Sequence, residues 1–337
     1  MRPRSWKSIA IWLAVAALTV GAAGCGGDDD GSAEGEEAVS VALVLPCATN
    51  DPWCKQGDEG ANAVAAKGGV DLEVTTNAPQ DTAGVTRVLA QYAQADTELI
   101  LAHSNWEDAA IDVADQFPDA NLATYGVKTH ESIAVLEEPI YEAAYLAGMI
   151  AGGITETNVI GGSAGEDIPL CHAELEAFAK GAKRVNDDVR MLDNYLGEWN
   201  DPALGKQTTE SQIDQNADVV IACGGGPATG MAQAIKEADI SGFGYVGDMS
   251  SLAPENLVGS VLYNLEPYFE AVIEDVRNDT FRPAKRYEFG LADGGVDLKL
   301  NDRYSVKEVP DDVLEEVEQV KEEINSGEFE VPFVAEG

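Results

Sequence analysis

The sequence predicts an α/β fold of two doubly wound parallel-sheet domains, and three observations predict it. From residue 39 onward, short apolar runs alternate with longer amphipathic ones. The apolar runs carry no polar face, as strands covered on both sides by crossover helices require. The alternation completes one cycle and then begins again, which marks a second domain of the same kind.

The first cycle opens with the strand "VSVALVL" (39–45) and a helix from Gly57 to Lys67. The strand "DLEVTTN" (71–77), the helix "TAGVTRVLAQYAQA" and the strand "TELILAHS" (97–104) follow. The helix "WEDAAIDVADQF", the strand "NLATYG" and the helix "PIYEAAYLAGMIAGGI" close it. In the second cycle the strands "NVIGGSAG", "VRMLDNYL", "DVVIACGG" and "GFGYVGD" are separated by runs such as "ELEAFAKGAKRV" and "TTESQIDQNA". The tail adds "LVGSVLY" (257–263), a helix from Pro267 to Arg277, the strand-like run "KRYEFGLADGGVDLKL" and a charged helix from Pro310 to Asn325. A tail of that length can cross between domains several times and form a hinge. The partition expected is domain 1 at 39–152 plus about 249–281 and domain 2 at 153–248 plus about 282–309, with a C-terminal helix and tail at 310–337.

The first 25 residues read as a secretory signal. Arg2, Arg4 and Lys7 form a positive segment, Ile9 to Val20 an apolar one, and "GAAGC" ends it at Cys25. A cysteine there resembles a bacterial lipoprotein box, with Ala22 where leucine is usual, so Cys25 is expected to carry lipid on an exported, membrane-anchored chain. Residues 26–38, starting "CGGDDDGSAEGEE" from Cys25, are too polar to pack and read as a flexible acidic tether. Apart from Cys25 the cysteines are Cys47, Cys54, Cys171 and Cys223, an even set in an exported chain. Three pairings are possible; sequence proximity favours Cys47–Cys54, which leaves Cys171–Cys223.

Sixty acids against 21 bases give a net charge of -39. Such a surface repels nucleic acid and gives no footprint for a phosphate backbone. It suits high ionic strength, where screening shortens the reach of self-repulsion, so a salt-adapted organism is expected.

In doubly wound sheets the loops after the strands share one edge, where ligands sit. Trp53, Trp106 and Trp199 all fall at such loops, in "NDPW", "HSNW" and "LGEWND". They are flanked by polar residues rather than by a periodic apolar run, as stacking platforms for a flat ligand would be. Acids and amides recur there: Asn50 and Asp51, Asn105, Asn200 and Asp201, and Asp248 in "YVGDMSS". Such residues accept hydrogen bonds from hydroxyls or ring N–H groups, and they also cap helices. "CGGGPATGM" (223–231) lacks the ending of a phosphate-binding Walker loop, so Gly224 and Gly225 are read as letting backbone approach a ligand closely.

Catalysis finds little support. His103, His130 and His172 lack metal-ligand spacing, and no Gly-x-Ser-x-Gly elbow is present. His103, at a strand end, is read as a satisfied loop histidine. No cofactor and no metal are expected.

"EAAYLAGMIAGG", "NVIGGSAGEDIP", "AFAKGAKRVN", "GEWNDPALGK", "ADVVIACGGG" and "GYVGD" run in this order along the chain. Together they resemble the basic membrane protein family, nucleoside-binding lipoproteins of bacterial ABC importers, over roughly Val39 to Leu300. The resemblance implies a type I periplasmic-binding-protein fold, two domains joined by three crossovers with the ligand in the cleft. It also implies a purine nucleoside as ligand and an ABC permease in the membrane as partner; a monomer is expected. Residue by residue it places Trp53 and Trp199 on either side of a base, Asp51 near the acid of the first loop, Gly224 to Gly226 along the cleft and Asp248 on the ribose hydroxyls. The chain departs from the family at Tyr263, where a lysine is common, at Tyr125-Gly126, where an acid is often found, and in its first loop, rewritten as "NDPWCKQG". Another ligand, such as a sugar, a flavin-like ring or a signalling molecule, is the second reading, and an exported hydrolase the third.

Overall fold

The computed structural model describes residues 38–126 and 129–335. The signal, Cys25 and the tether up to residue 37 lie outside the described residues. Among those described, no helix is long and apolar enough to cross a membrane.

The chain runs β1 (Val39–Val44), α1 (Pro52–Ala66), β2 (Val70–Thr75), α2 (Thr82–Gln94), β3 (Leu99–Ala102), α3 (Glu107–Gln116), β4 (Asn121–Tyr125) and β5 (Ala134–Glu137). It continues with α4 (Ile140–Ile154), β6 (Val159–Ala164), α5 (Pro169–Val185), β7 (Arg190–Tyr195), α6 (Pro202–Asp214), β8 (Val219–Cys223), α7 (Gly225–Ala238) and β9 (Ser241–Gly244). The last elements are β10 (Leu257–Tyr263), α8 (Glu266–Arg277), β11 (Arg286–Glu288), β12 (Val296–Leu300) and α9 (Asp311–Ser326).

Two six-stranded sheets result, ordered β11-β5-β4-β3-β1-β2 and β12-β10-β9-β8-β6-β7. Among the described residues, every pairing between these strands is parallel except β10 with β12. The inner strands β3, β5, β6 and β8 are buried at every position, which is why their sequences show no alternation. This is the doubly wound, two-lobed architecture that the alternating runs predict.

The chain passes between sheets three times: after β5, after β10 and after β11. These crossings fall elsewhere than the expected partition. Helix α4 was expected to close the first domain, with the boundary at 152/153, but it packs along α5 of the second lobe. Its glycines explain this: a Cβ at Gly148 would stand 2.0 Å from the Phe178 carbonyl oxygen, and one at Gly152 2.3 Å from that of Ala182. Only hydrogen fits at these contacts, so the backbones of α4 and α5 approach as no larger residue would allow. Strand β10 was expected in the first domain and joins the second sheet beside β9. Strand β11 was expected in the second domain and pairs with β5 in the first. The run "KRYEFGLADGGVDLKL" is thus two strands, one in each sheet, joined by a crossover.

The C-terminal segment returns to the second lobe, where the Lys307 ammonium sits 2.7 Å from Asp218. Asp218 also accepts from Thr155 Oγ1 and the Glu156 amide.

Candidate functional site

The sequence writes Asn-Asp-Pro twice, at 50–52 and 200–202, each time opening a helix at the strand C-terminal edge. Asp51 caps α1, its Oδ1 accepting from the Trp53 amide at 2.9 Å and from that of Cys54 at 3.4 Å. Asp201 caps α6 in the same way, accepting from Ala203 at 2.8 Å and Leu204 at 3.1 Å. The proline in each stands where the helix has no need of an N–H. These caps fix the two indoles that flank them, Trp53 on the first lobe and Trp199 on the second.

Both indoles line one cleft of about 440 Å³ between the lobes, within the usual range for small-molecule sites. Trp53 stacks on the His103 ring, centroids 4.2 Å apart and planes 18° off parallel. Its Nε1 donates to the His103 carbonyl at 3.3 Å. Burial holds the His103 imidazole down to about 3, so the ring is neutral. Its Nε2 lies 3.2 Å from the Trp53 carbonyl, which can only accept; the proton is therefore on Nε2, and Nδ1 accepts from the Tyr125 hydroxyl at 2.9 Å. Trp53, His103 and Tyr125 form one rigid block, the loop histidine holding the platform from beneath.

Trp199 lies against backbone. A Cβ at Gly165 would meet its ring at 2.4 Å and one at Gly224 at 3.0 Å. Gly224 has φ +123°, a conformation that side chains rarely adopt, so this position needs glycine twice over. The two lobes already meet here: a Cβ on Gly225, at the start of α7, would stand 3.1 Å from Asp51 Oδ2. Burial pushes the Asp51 carboxyl above the usual range, against the Trp53 and Cys54 amides, which pull it down.

Disulfides border the cleft on both lobes. Cys47 pairs with Cys54 across the first loop, and Cys171, in the first turn of α5, pairs with Cys223 at the end of β8. Cys47, Asp51 and Cys54 stand close enough to share a metal ion, but sulfurs bonded to each other supply no thiolate.

Of the residues singled out in the sequence, Asp51, Trp53, Asn105, Trp106, Trp199, Asn200, Gly224, Gly225 and Tyr263 all line this cleft. Asn105 and Asn200 are exposed, whereas Trp106 is buried in the core beneath α2 and α3. Asp248 is the correction. It is not part of the cleft wall; its carboxylate accepts from the Ser250 amide at 3.0 Å and from Lys299 Nζ at 2.8 Å. Those bonds hold it at about 2, as a paired surface acid. The turn before it explains the placement: buried Val246 takes φ +69°, rare for a β-branched residue, and its carbonyl accepts from the Tyr263 amide. Tyr245, the residue before that turn, lines the cleft where an aspartate was expected.

Sequence reasoning missed Tyr245 and Glu138. Glu138 follows β5, a four-residue strand that gave no separate signal beside the longer runs. Among the described residues that line the cleft there is no lysine or arginine, whereas Asp51, Glu138, Glu166 and Glu198 are there. The described wall therefore offers aromatic faces, hydroxyls and carboxyls.

The family model described as ABC transporter substrate-binding protein, PnrA-like, matches residues 38–332. The chain belongs to the Bmp family. It is 28% identical over 309 residues to a putative ABC transporter glucose-binding protein, TsgA13, of Haloferax volcanii, covering 90% of this chain and 76% of that one. It is 25% identical to a purine-binding protein of Brucella abortus, covering 90% and 85%. A nucleoside-binding protein of Lactococcus lactis, BmpA, is 27% identical over 67% of this chain and 68% of its own length. Among solved structures, a solute-binding protein of Aeropyrum pernix superposes with a TM-score of 0.74 at 24% identity, over 87% and 94% of the two chains. That likeness fixes the fold as that of periplasmic solute-binding proteins. As a Bmp member the chain is an ABC-transporter substrate-binding protein, a class that works outside the cytoplasm with a small-molecule ligand and a permease.

Proposed function

We propose that this Bmp protein captures a purine nucleoside between Trp53 and Trp199 and presents the closed form to its permease. The observation that carries the reading is one indole from each lobe on the same cleft, each backed on one side, by His103 and by Gly165 with Gly224. Two aromatic faces on separate lobes hold a flat ring only when the lobes come together, so binding and closure are one event. The four carboxyl groups among the described residues of the wall, Asp51, Glu138, Glu166 and Glu198, favour an uncharged nucleoside over a nucleotide. Relatives named for purine and nucleoside binding support the same class.

Catalysis plays no part in this reading: the ligand leaves the cleft unchanged. Lipidation at Cys25 tethers the protein to the membrane through residues 26–38, and it works as a monomer. Incorporation of labelled fatty acid that is lost in Cys25→Ala tests the anchor.

A hexose is the second reading, favoured by the relative named for glucose binding. Calorimetric titration against purine and pyrimidine nucleosides, free bases and sugars separates them. One-to-one binding of a purine nucleoside with silence toward sugars supports the first reading, and the reverse result overturns it.

A further inference from the structure

Stacking accounts for the indoles but leaves the acid at the cleft floor without a use. Glu138 is only 3% exposed, and its Oε1 is shut off from water with no hydrogen-bond partner, yet the residue forms part of the cleft wall. It stands in the first crossover, between β5 of the first lobe and α4 of the second. Tyr125 and Tyr268 from the first lobe and Tyr245 and Tyr263 from the second lie within electrostatic reach of it. The Tyr263 hydroxyl is also buried, with the Tyr245 hydroxyl as its hydrogen-bonding neighbour. A carboxyl oxygen without a partner, on the crossover, and Tyr263, on β10, thus line the same cleft.

A folded chain rarely leaves a buried carboxyl oxygen unpaired unless something else pairs it. We propose that Glu138 is the specificity-determining residue of the cleft, its carboxyl hydrogen-bonding an N–H or O–H donor of the ligand beside the Tyr263 hydroxyl. The inference rests on the capture function above but not on the ligand being a purine. Burial pushes the carboxyl well above its ordinary range, favouring the neutral acid, which presents an O–H and a C=O side by side. Its complement is a ligand edge with a donor next to an acceptor, such as N1–H and C6=O of a 6-oxopurine, or vicinal hydroxyls of a sugar. A ligand lacking the donor leaves the acid unpaired in the closed cleft, the arrangement that discriminates most strongly between similar ligands.

The test measures affinity and melting temperature together on the full chain, as wild type, Glu138→Leu and Glu138→Gln, with inosine, 1-methylinosine and D-glucose. Leucine fills the space without a polar atom, so the empty Leu variant is expected to melt at or above the wild type at pH 7. Its affinity for whichever ligand the wild type binds is expected to fall at least 10-fold, and glutamine, which keeps a donor and an acceptor, recovers most of the loss. For inosine, the wild type discriminates against the 1-methyl analogue and the Leu variant does not. Unchanged affinity in the Leu variant overturns the inference while nucleoside capture stands. Binding of glucose alone, weakened in the Leu variant, overturns nucleoside capture while Glu138 keeps its role. A Leu variant that melts below the wild type assigns Glu138 a structural role and overturns the inference, and silence of the wild type toward all three ligands overturns both readings.

Discussion

Trp53 and Trp199 illustrate how little freedom a binding side chain has once its neighbours are set. Trp53 is held by the His103 stack and a hydrogen bond through Nε1, and Trp199 by the glycine backbone beneath it. Aromatic stacking on a base is worth about 1–3 kcal/mol per ring. Trp199→Ala should therefore weaken nucleoside binding about 10- to 100-fold by calorimetry, with Trp199→Phe retaining most of it. Asp248→Ala should leave affinity within about threefold, because its carboxylate is engaged with Lys299 on the surface. Loss of binding there would restore the ribose role that the family resemblance implies. Glu174 on α5 is fully buried with neither carboxylate oxygen partnered, and burial pushes it well above the usual range. A raised carboxyl costs nothing below the unfolded value near 4.5, where both states hold the proton; the cost grows above it, as only the unfolded chain ionises freely. Glu174→Gln should raise the melting temperature at pH 7 and leave it unchanged at pH 4. An equal gain at both would mean that ionisation has no part in it.

Helix α4 shows the same constraint one level up. Its composition is apolar on all sides, so periodicity alone could not assign it to either lobe. What assigns it is small-residue packing against α5, where Gly181 also approaches the Tyr145 carbonyl so closely that a Cβ would stand 2.0 Å away. Gly148→Ala gains helix propensity of about 1 kcal/mol yet must push Phe178 backbone aside. A net loss of at least about 2 kcal/mol is expected, a fall of several degrees in melting temperature. An unchanged melting temperature would mean that the two helices have slack. Long periodic elements such as α1, α2 and α5 were legible because each carries its own apolar stripe. Strands β5 and β11 were not, since four and three residues are too few to show a period.

The whole chain carries a net charge of -39, and like charges held close together repel. Raising salt from 0.1 to 1 M shortens the screening length from about 10 Å to about 3 Å. The melting temperature of the empty protein should rise across that range, and a flat response would show that the acids are already neutralised by local pairing. Closure belongs to this scale too. The first lobe's Asp51 faces the second lobe's α7 at Gly225, so the lobes touch at the edge of the cleft that ligand must enter.

The local alternation of apolar and amphipathic runs was enough to determine two doubly wound lobes, because strand burial and helix amphipathicity are written residue by residue. The strand-edge positions of Trp53, Trp106 and Trp199 and the glycines at 224 and 225 were equally open to reading, since a loop after a parallel strand can only lie at one edge. Only the tertiary structure decided where the chain crosses between lobes, that Asp248 turns outward to Lys299, and that Glu138 closes the floor. Those outcomes depend on which surfaces meet: the fit of α4 on α5, the strained turn at Val246, and burial of a carboxyl at a crossover. Contacts between residues distant in sequence leave no period in the sequence itself.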